Sequence, residues 1–274
     1  MTPEPSESRI ADEVSAPEPT LTDRIVLHHF RVSHYNEKVR WALDFKHIPH
    51  LRKALIPGFH VPHVRLLSGQ NKVPVLEIDG RVLFGSDVIL SEIEKAQPEP
   101  PLFPADPEGL GRALALQKLH DEEVAPDLRR IFWSTYLDDV KLAARMATDG
   151  FGGLSELVFR QSFPVMRPLF RRNMGVDDER LKVALEKLPS YFDRLESEIG
   201  SGGYLVGATF SVADLAVASV MTAIVRPKEF PYPLPEPWPE RLLEIKASVA
   251  SKPAFQWVER IYRQHRGSSS ELTA

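Results

Sequence analysis

The chain has 274 residues, long enough for two domains that each bury a core. An apolar fraction of 43%, a charged fraction of 26% and a net charge of −4 describe an ordinary soluble globular protein, with no reason to expect nucleic acid or a membrane as partner. There is no cysteine, which excludes disulfides, thiolate-ligated metals and thiol–disulfide exchange by the chain itself.

Residues 1–23 place Glu4, Glu7, Asp12, Glu13, Glu18 and Asp23 against Arg9, a local charge of −5 that leaves the remainder near neutral. Rich in Pro, Glu and Ser and poor in large apolar side chains, this acidic tail is expected to be disordered. It has neither the basic start nor the apolar core of a signal peptide, so the expected address is cytoplasmic.

Ile25–Phe30 is a short apolar β-type run that leads into Val32–Leu43, where Val39, Ala42 and Leu43 follow helical spacing. A strand turning straight into a helix presents unpaired N–H groups and the positive dipole end at the turn, a setting that suits an anion such as a thiolate. Ser33 stands where its hydroxyl reaches that anion; the competing reading is a plain helix cap. Ile56–His63 is an insertion that obscures the second helix. Its His60 and His63 lack a third ligand and are read as exposed loop histidines, not a metal site.

Val73–Phe84 reads as two short strands joined by Asp79-Gly80, a hairpin signal. Pro74 cannot donate to a ladder, so it belongs at an edge or a special turn. A cis Val73–Pro74 bond leaves the Val73 backbone free to pair with an extended peptide ligand. Gly85-Ser86-Asp87 then opens another helix, and residues 24–95 together make a thioredoxin-type α/β half.

Residues 96–107 form a Pro-rich linker, with five prolines from 97 to 107. Residues 108–266 are expected to be all helical. Leu110, Leu114, Leu116 and Leu119 share a face before Pro126, an expected kink. Leu181, Ala184, Leu185 and Leu188 continue the pattern up to Gly200. Val212–Val225 is apolar yet too short to span a bilayer, and is read as a buried helix opened by a Ser211/Asp214 capping box, with Phe210 and Leu215 as its hydrophobic staple. Pro227–Pro239 is a crossing loop, Pro253–Arg266 a last amphipathic helix, and 267–274 a disordered tail.

Ser33, Lys38-Val39-Arg40 and Ala42-Leu43, then Val73-Pro74-Val75-Leu76, then Ser86 and Ile89 stand in the order and approximate spacing of the N-terminal domain of the glutathione S-transferase superfamily. Gly203–Asp214 resembles that family's helical-domain signature. The resemblance covers about residues 24–266 and implies a thioredoxin-like N-terminal domain followed by an all-helical C-terminal domain. It further implies glutathione as co-substrate, no metal, and a serine-type enzyme in which Ser33 donates a hydrogen bond to the glutathione sulfur. A free thiol has a pKa of about 8.5 and is only a few per cent ionised at neutral pH. Lowering it by one unit takes roughly 1.4 kcal/mol, within the about 1.5–3 kcal/mol of one hydrogen bond to a charged group. His29, near where tyrosine-type relatives carry their hydroxyl, and Tyr35 compete with Ser33 for the role.

By the same resemblance, Val73 pairs with the cysteinyl part of glutathione, with Pro74 setting the geometry. Ser86 takes the γ-glutamyl carboxylate. Asn71 and Lys72 reach the glycyl carboxylate, unless they are an ordinary polar loop. Many relatives carry an acidic residue before this serine to hold the ligand's amino group; here it is Gly85, and Asp87 is the available substitute. The electrophile is expected between the domains, near His120, Arg129, Phe132, Trp133 and Tyr136, although the aromatic trio also suits a core or a dimer interface. Implied partners are glutathione, a small hydrophobic electrophile and a second copy of the chain, each α/β domain lying against the partner's helical one. Two functions stay open: a detoxifying transferase, or a related isomerase or dehalogenase, and a non-catalytic binding module, which Gly85 favours.

Overall fold

The computed structural model describes residues 25–272; the acidic segment 1–23 lies outside the described residues. The first half runs β1 (Val26–His29), α1 (His34–Phe45), β2 (Leu51–Ala54), α2 (Val61–Ser68), β3 (Val75–Ile78), β4 (Arg81–Phe84) and α3 (Ser86–Ala96). The sheet order is β2-β1-β3-β4, with β1 parallel to β2 and the other pairs antiparallel. A parallel neighbour needs a crossover, and α1 supplies it. The β3–β4 connection is the Asp79-Gly80 pair, with φ of 49° and 75°. Both values are positive, as a two-residue turn matching the strand twist requires.

Strand alternation sorts the side chains of β1. Leu27 joins Val39, Leu43, Leu76, Ile89 and Ile93 in the core shared with α1 and α3. His28 points to the opposite face, where His63 of α2 meets it at 3.0 Å.

The second half is helical, with no strand among its described residues up to 266: α4 (Pro107–Leu119), α5 (Ala125–Tyr136), α6 (Val140–Thr148), α7 (Gly153–Met174), α8 (Asp178–Glu198), α9 (Val212–Val225), α10 (Glu240–Val249) and α11 (Pro253–His265). This is the thioredoxin-like plus helical architecture that the resemblance implied. Every residue of α9 is buried, and α9 packs on α1 as well as on α4, α5 and α11, so one apolar helix joins the two halves. Its capping carboxylate, Asp214, accepts from the Leu205 and Ser211 amides at 2.9 Å each and from the Ser211 hydroxyl at 3.0 Å. Burial pushes that carboxyl up to about 6. No described helix is long and apolar enough to cross a membrane.

Two expectations change. Ahead of Pro126 the chain forms a π-helical turn, His120–Val124, that runs α4 into α5. Proline lacks the N–H that a continuous α-helix needs there, and the wider turn accommodates the loss. The end of the chain, expected as a disordered tail from 267, is instead bound to the α/β half through residue 272. Ser270 N donates to Asp44 at 2.8 Å, His50 N to the Ser270 carbonyl at 3.3 Å, and Leu272 N to the His50 carbonyl at 2.8 Å. Backbone groups at the exposed edge beyond β2 recruit this segment, a pairing that composition does not encode. The proline-rich linker is likewise fixed: the buried Lys46 ammonium donates to the carbonyls of Gln97 at 2.7 Å and Pro100 at 2.8 Å.

Candidate functional site

The turn between β1 and α1 is assembled from below by Arg40. Its guanidinium, fully buried, donates to the carbonyls of Phe30 at 3.0 Å, Arg31 at 3.2 Å and Ser33 at 3.4 Å, and to His29 Nδ1 at 2.9 Å. Glu37 holds Arg40 Nε at 2.8 Å and Arg266 Nε at 2.6 Å, so the end of the helical half helps to shape this turn. Burial works against the charge on Arg266, but the Glu37 and Asp44 carboxylates raise its pKa above the ordinary arginine value.

Ser33 occupies the N-cap position of α1 with φ −79° and ψ 129°. Its hydroxyl makes no capping bond. Half-buried, it is left unengaged beside the unpaired N–H groups of the helix start. The two competitors are both occupied. His29 is buried and accepts from Arg40; burial, with the Arg40 charge added, holds it neutral, well below the usual histidine range. Tyr35 donates to the Asp121 carbonyl at 2.9 Å, and burial pushes its hydroxyl up to about 12.

The Val73–Pro74 peptide is cis, and the Val73 backbone makes no hydrogen bond among the described residues. Asn71 and Lys72 are exposed just before it. Ser86 is the first residue of α3 and is buried, while Asp87 is exposed. Gly85 has φ +88°, and a Cβ there meets Asp87 Oδ1 at 3.0 Å. Backbone conformation and occupied space both disfavour a side chain at 85, and the Asp87 carboxylate stands next to where it would begin. Asp87 also faces a buried pair. Lys38, fully buried, binds Asp121 of the π-helical turn, and burial lowers the lysine and raises the aspartate.

His60 and His63 are not free loop residues. His60 accepts from Gly58 N at 3.1 Å and donates to the Asn71 carbonyl at 3.1 Å, bracing the loop ahead of Val73. His63 donates to His28, whose other nitrogen meets Glu77 at 2.6 Å. A histidine on a strand interior face, with a glutamate two strand positions away on the neighbour, draws in an α2 histidine that no local pattern marks. Among the described residues no group of three or more His, Cys, Asp or Glu is arranged to hold a metal.

The electrophile candidates separate by burial. Phe132, Trp133 and Tyr136 lie in the helical core, the ring of Phe132 tilted against Tyr136 at 5.0 Å and that of Trp133 against Phe170 at 5.9 Å. His120 is buried too, bound to the Leu116 carbonyl at 2.9 Å and pushed down to about 4 by burial. Their burial follows from the packing of α5 against α7, α8 and α9, toward which its apolar side chains turn. Arg129 remains half-buried toward α1. A small cavity opens beside the Ser33 turn, lined by Phe30, Val32, Leu55, Pro57, Met146 and Phe151 together with the Arg31–Asp149 ion pair. Phe30 and Val32 flank the turn already marked in the sequence, whereas Met146 and Phe151 were not singled out there, the apolar residues around 146–151 being their only signal.

Comparison with known proteins agrees with this fold. The family model described as glutathione S-transferase, N-terminal domain, matches residues 27–101, and the one for the C-terminal domain matches 163–257. A glutathione S-transferase of Pseudomonas putida is 40% identical over 81 residues, a match that spans 30% of this chain and 36% of that protein. Among solved structures, the β-etherase LigF of Sphingobium sp. has a TM-score of 0.59 at 22% identity, covering 87% of this chain and 99% of its own. A theta class glutathione S-transferase of Xanthomonas axonopodis pv. citri, with glutathione bound, has 0.53 at 19%, covering 85% and 95%. At these identities the two structures speak for the fold alone.

Proposed function

The chain belongs to the glutathione S-transferase superfamily, and from that premise we propose that it binds glutathione and activates its thiol for attack on a small electrophile. The observation that carries the reading is the Ser33 hydroxyl at the start of α1, which makes no capping bond and lies beside a small cavity of mixed polar and apolar lining. The thiol proton leaves to solvent, and Ser33 donates to the resulting thiolate. The sulfur then forms a bond to the electrophilic carbon, and where the electrophile carries a leaving group, that group departs with its bonding pair. Val73 offers unpaired backbone groups to the cysteinyl part, Ser86 its hydroxyl to the γ-glutamyl carboxylate, and Asp87 its carboxylate to the amino group. Asn71 and Lys72 take the glycyl carboxylate. A cytoplasmic, detoxifying role completes the reading.

Calorimetric titration of glutathione into the purified protein tests this, with a dissociation constant in the micromolar to low millimolar range as the expected result. Binding weaker than millimolar instead favours a non-catalytic module of the same fold, the reading that Gly85 supports.

The same reading includes a homodimer. Leu66, Phe84 and Val88 stand exposed on the α/β half, and Leu154, Leu157, Val158, Val165 and Leu169 line one face of α7. Apolar stripes of this kind favour a protein partner. Sedimentation at micromolar concentration is expected to give twice the 30.9 kDa chain mass; a 30.9 kDa species alone refutes the dimer.

A further inference from the structure

We infer that the electrophile carries a carboxylate, held by Arg129 of α5 with His34 of α1 beside it. This rests on the transferase reading above and deepens it. The first observation is a cation with no counter-ion. Arg129 Nε is buried without a hydrogen-bond partner, and no carboxylate among the described residues lies within ion-pair distance of its guanidinium. Nearby arginines differ: Arg130 pairs with Asp127, and Arg194 reaches Glu123 at 3.6 Å.

The second observation is independent of the first. His34 is only 6% exposed, and its Nε2 is buried with no partner. It directly follows Ser33, and its ring lies 4.3 Å from that of Tyr35. Arg129 is close enough for its charge to act on both His34 and Tyr35. Burial, then the Lys38 and Arg129 charges, keep His34 neutral. It therefore offers one N–H without adding a second positive charge.

Buried polar groups are normally satisfied, and a partly buried cation without an anion is a standing cost to the fold. Two such groups, on α1 and on the helix that follows the π-helical turn to which Tyr35 is bonded, stand near the proposed nucleophile site and match one missing anion. A guanidinium presents a planar fork of donors that fits a carboxylate bidentately, and His34 adds a further donor. The residues proposed for glutathione sit elsewhere, on the loop before β3 and at the start of α3. Arg129 belongs to the helical half, which leaves the carboxylate to the second substrate.

The test compares chlorodinitrobenzoate with its methyl ester as electrophiles, in the wild type, Arg129→Gln and Arg129→Lys. Thermal unfolding serves as the check that each variant folds. Conjugation forms the carbon–sulfur bond and releases chloride in both compounds, so only the carboxylate differs. The acid-to-ester ratio of kcat/KM is expected to fall about tenfold or more in Arg129→Gln, the loss of one charged hydrogen-bonded pair, and less in Arg129→Lys. Calorimetry with dinitrobenzoate and its methyl ester, which lack the leaving group, gives the same comparison without glutathione or turnover. It decides the inference even if the wild type proves unable to conjugate. An unchanged acid-to-ester ratio in both measurements overturns it. A fall in glutathione affinity that matches the loss of turnover also overturns it, because Arg129 then holds a carboxylate of glutathione itself.

Discussion

Ser33→Ala is expected to slow glutathione conjugation about ten- to a hundredfold at neutral pH, with a much smaller change in glutathione affinity. The Ser33 hydroxyl makes no capping bond and no hydrogen bond to another described residue, so its removal is expected to leave the turn, built by Arg40, in place. Its partner is the sulfur, and the bond strengthens as the sulfur becomes charged. The loss, roughly 1.5–3 kcal/mol for a hydrogen bond to an ion, therefore falls on thiolate formation more than on binding. The sign with pH follows. Below the free thiol pKa of about 8.5 the variant holds little thiolate, whereas the wild type keeps its thiolate to lower pH. The ratio of wild-type to variant rates should shrink as pH rises through that value. Tyr35→Phe and His29→Ala are the controls; the first loses its bond to the Asp121 carbonyl and the second an acceptor for Arg40. If Ser33→Ala retains full conjugating activity and either control loses it, Ser33 is not the activating residue.

Glu37→Gln should destabilise the fold by about 3–5 kcal/mol, seen as a lower urea midpoint in equilibrium unfolding. Glu37 is fully buried and is shared by Arg40 and Arg266, both also buried. Removing the one carboxylate between two guanidiniums leaves positive charge in the interior without its counter-ion, the costly way to break a buried pair. The substitution nearly keeps volume, so the loss is not a cavity effect. Arg266 retains Asp44 at 2.8 Å, and Arg40 retains its carbonyl acceptors, which sets the upper limit. A loss below about 1 kcal/mol would place the network among surface ion pairs in energetic terms and sink the argument. Because Arg40 collects the carbonyls of the Ser33 turn, residual activity in the folded variant is also expected to fall.

The α/β topology was legible in the sequence because each of its devices is local. Asp79-Gly80 sets a turn, Pro74 an unpaired strand start, and Val39, Ala42 and Leu43 a buried helix face. The Ser211/Asp214 capping box is likewise a four-residue device, and it is present. Ser33 could be placed at a helix start for the same reason. Whether its hydroxyl caps the helix or stays unengaged was not readable, since both outcomes share one sequence. Trp133 and Tyr136 are buried in the helical core, because an aromatic on a helix faces whichever neighbours arrive, and α5 is enclosed. Met146 and Phe151 gained a place beside the site because the α6–α7 segment folds back over the β1–α1 turn.

The sequence by itself determined the order of the elements, the two-part architecture and the residues that stand at each helix start. The tertiary structure decided what those residues touch. Arg266 reaches Glu37 across 229 positions, residues 270–272 pair beyond β2, His28 joins His63 and Glu77, and Arg129 is left without an anion among the described residues. Local patterns record which face of an element is apolar and where the chain turns, over a few residues. Ion pairs and unmet hydrogen-bonding groups depend on which distant side chain arrives with the right geometry, and packing alone fixes that.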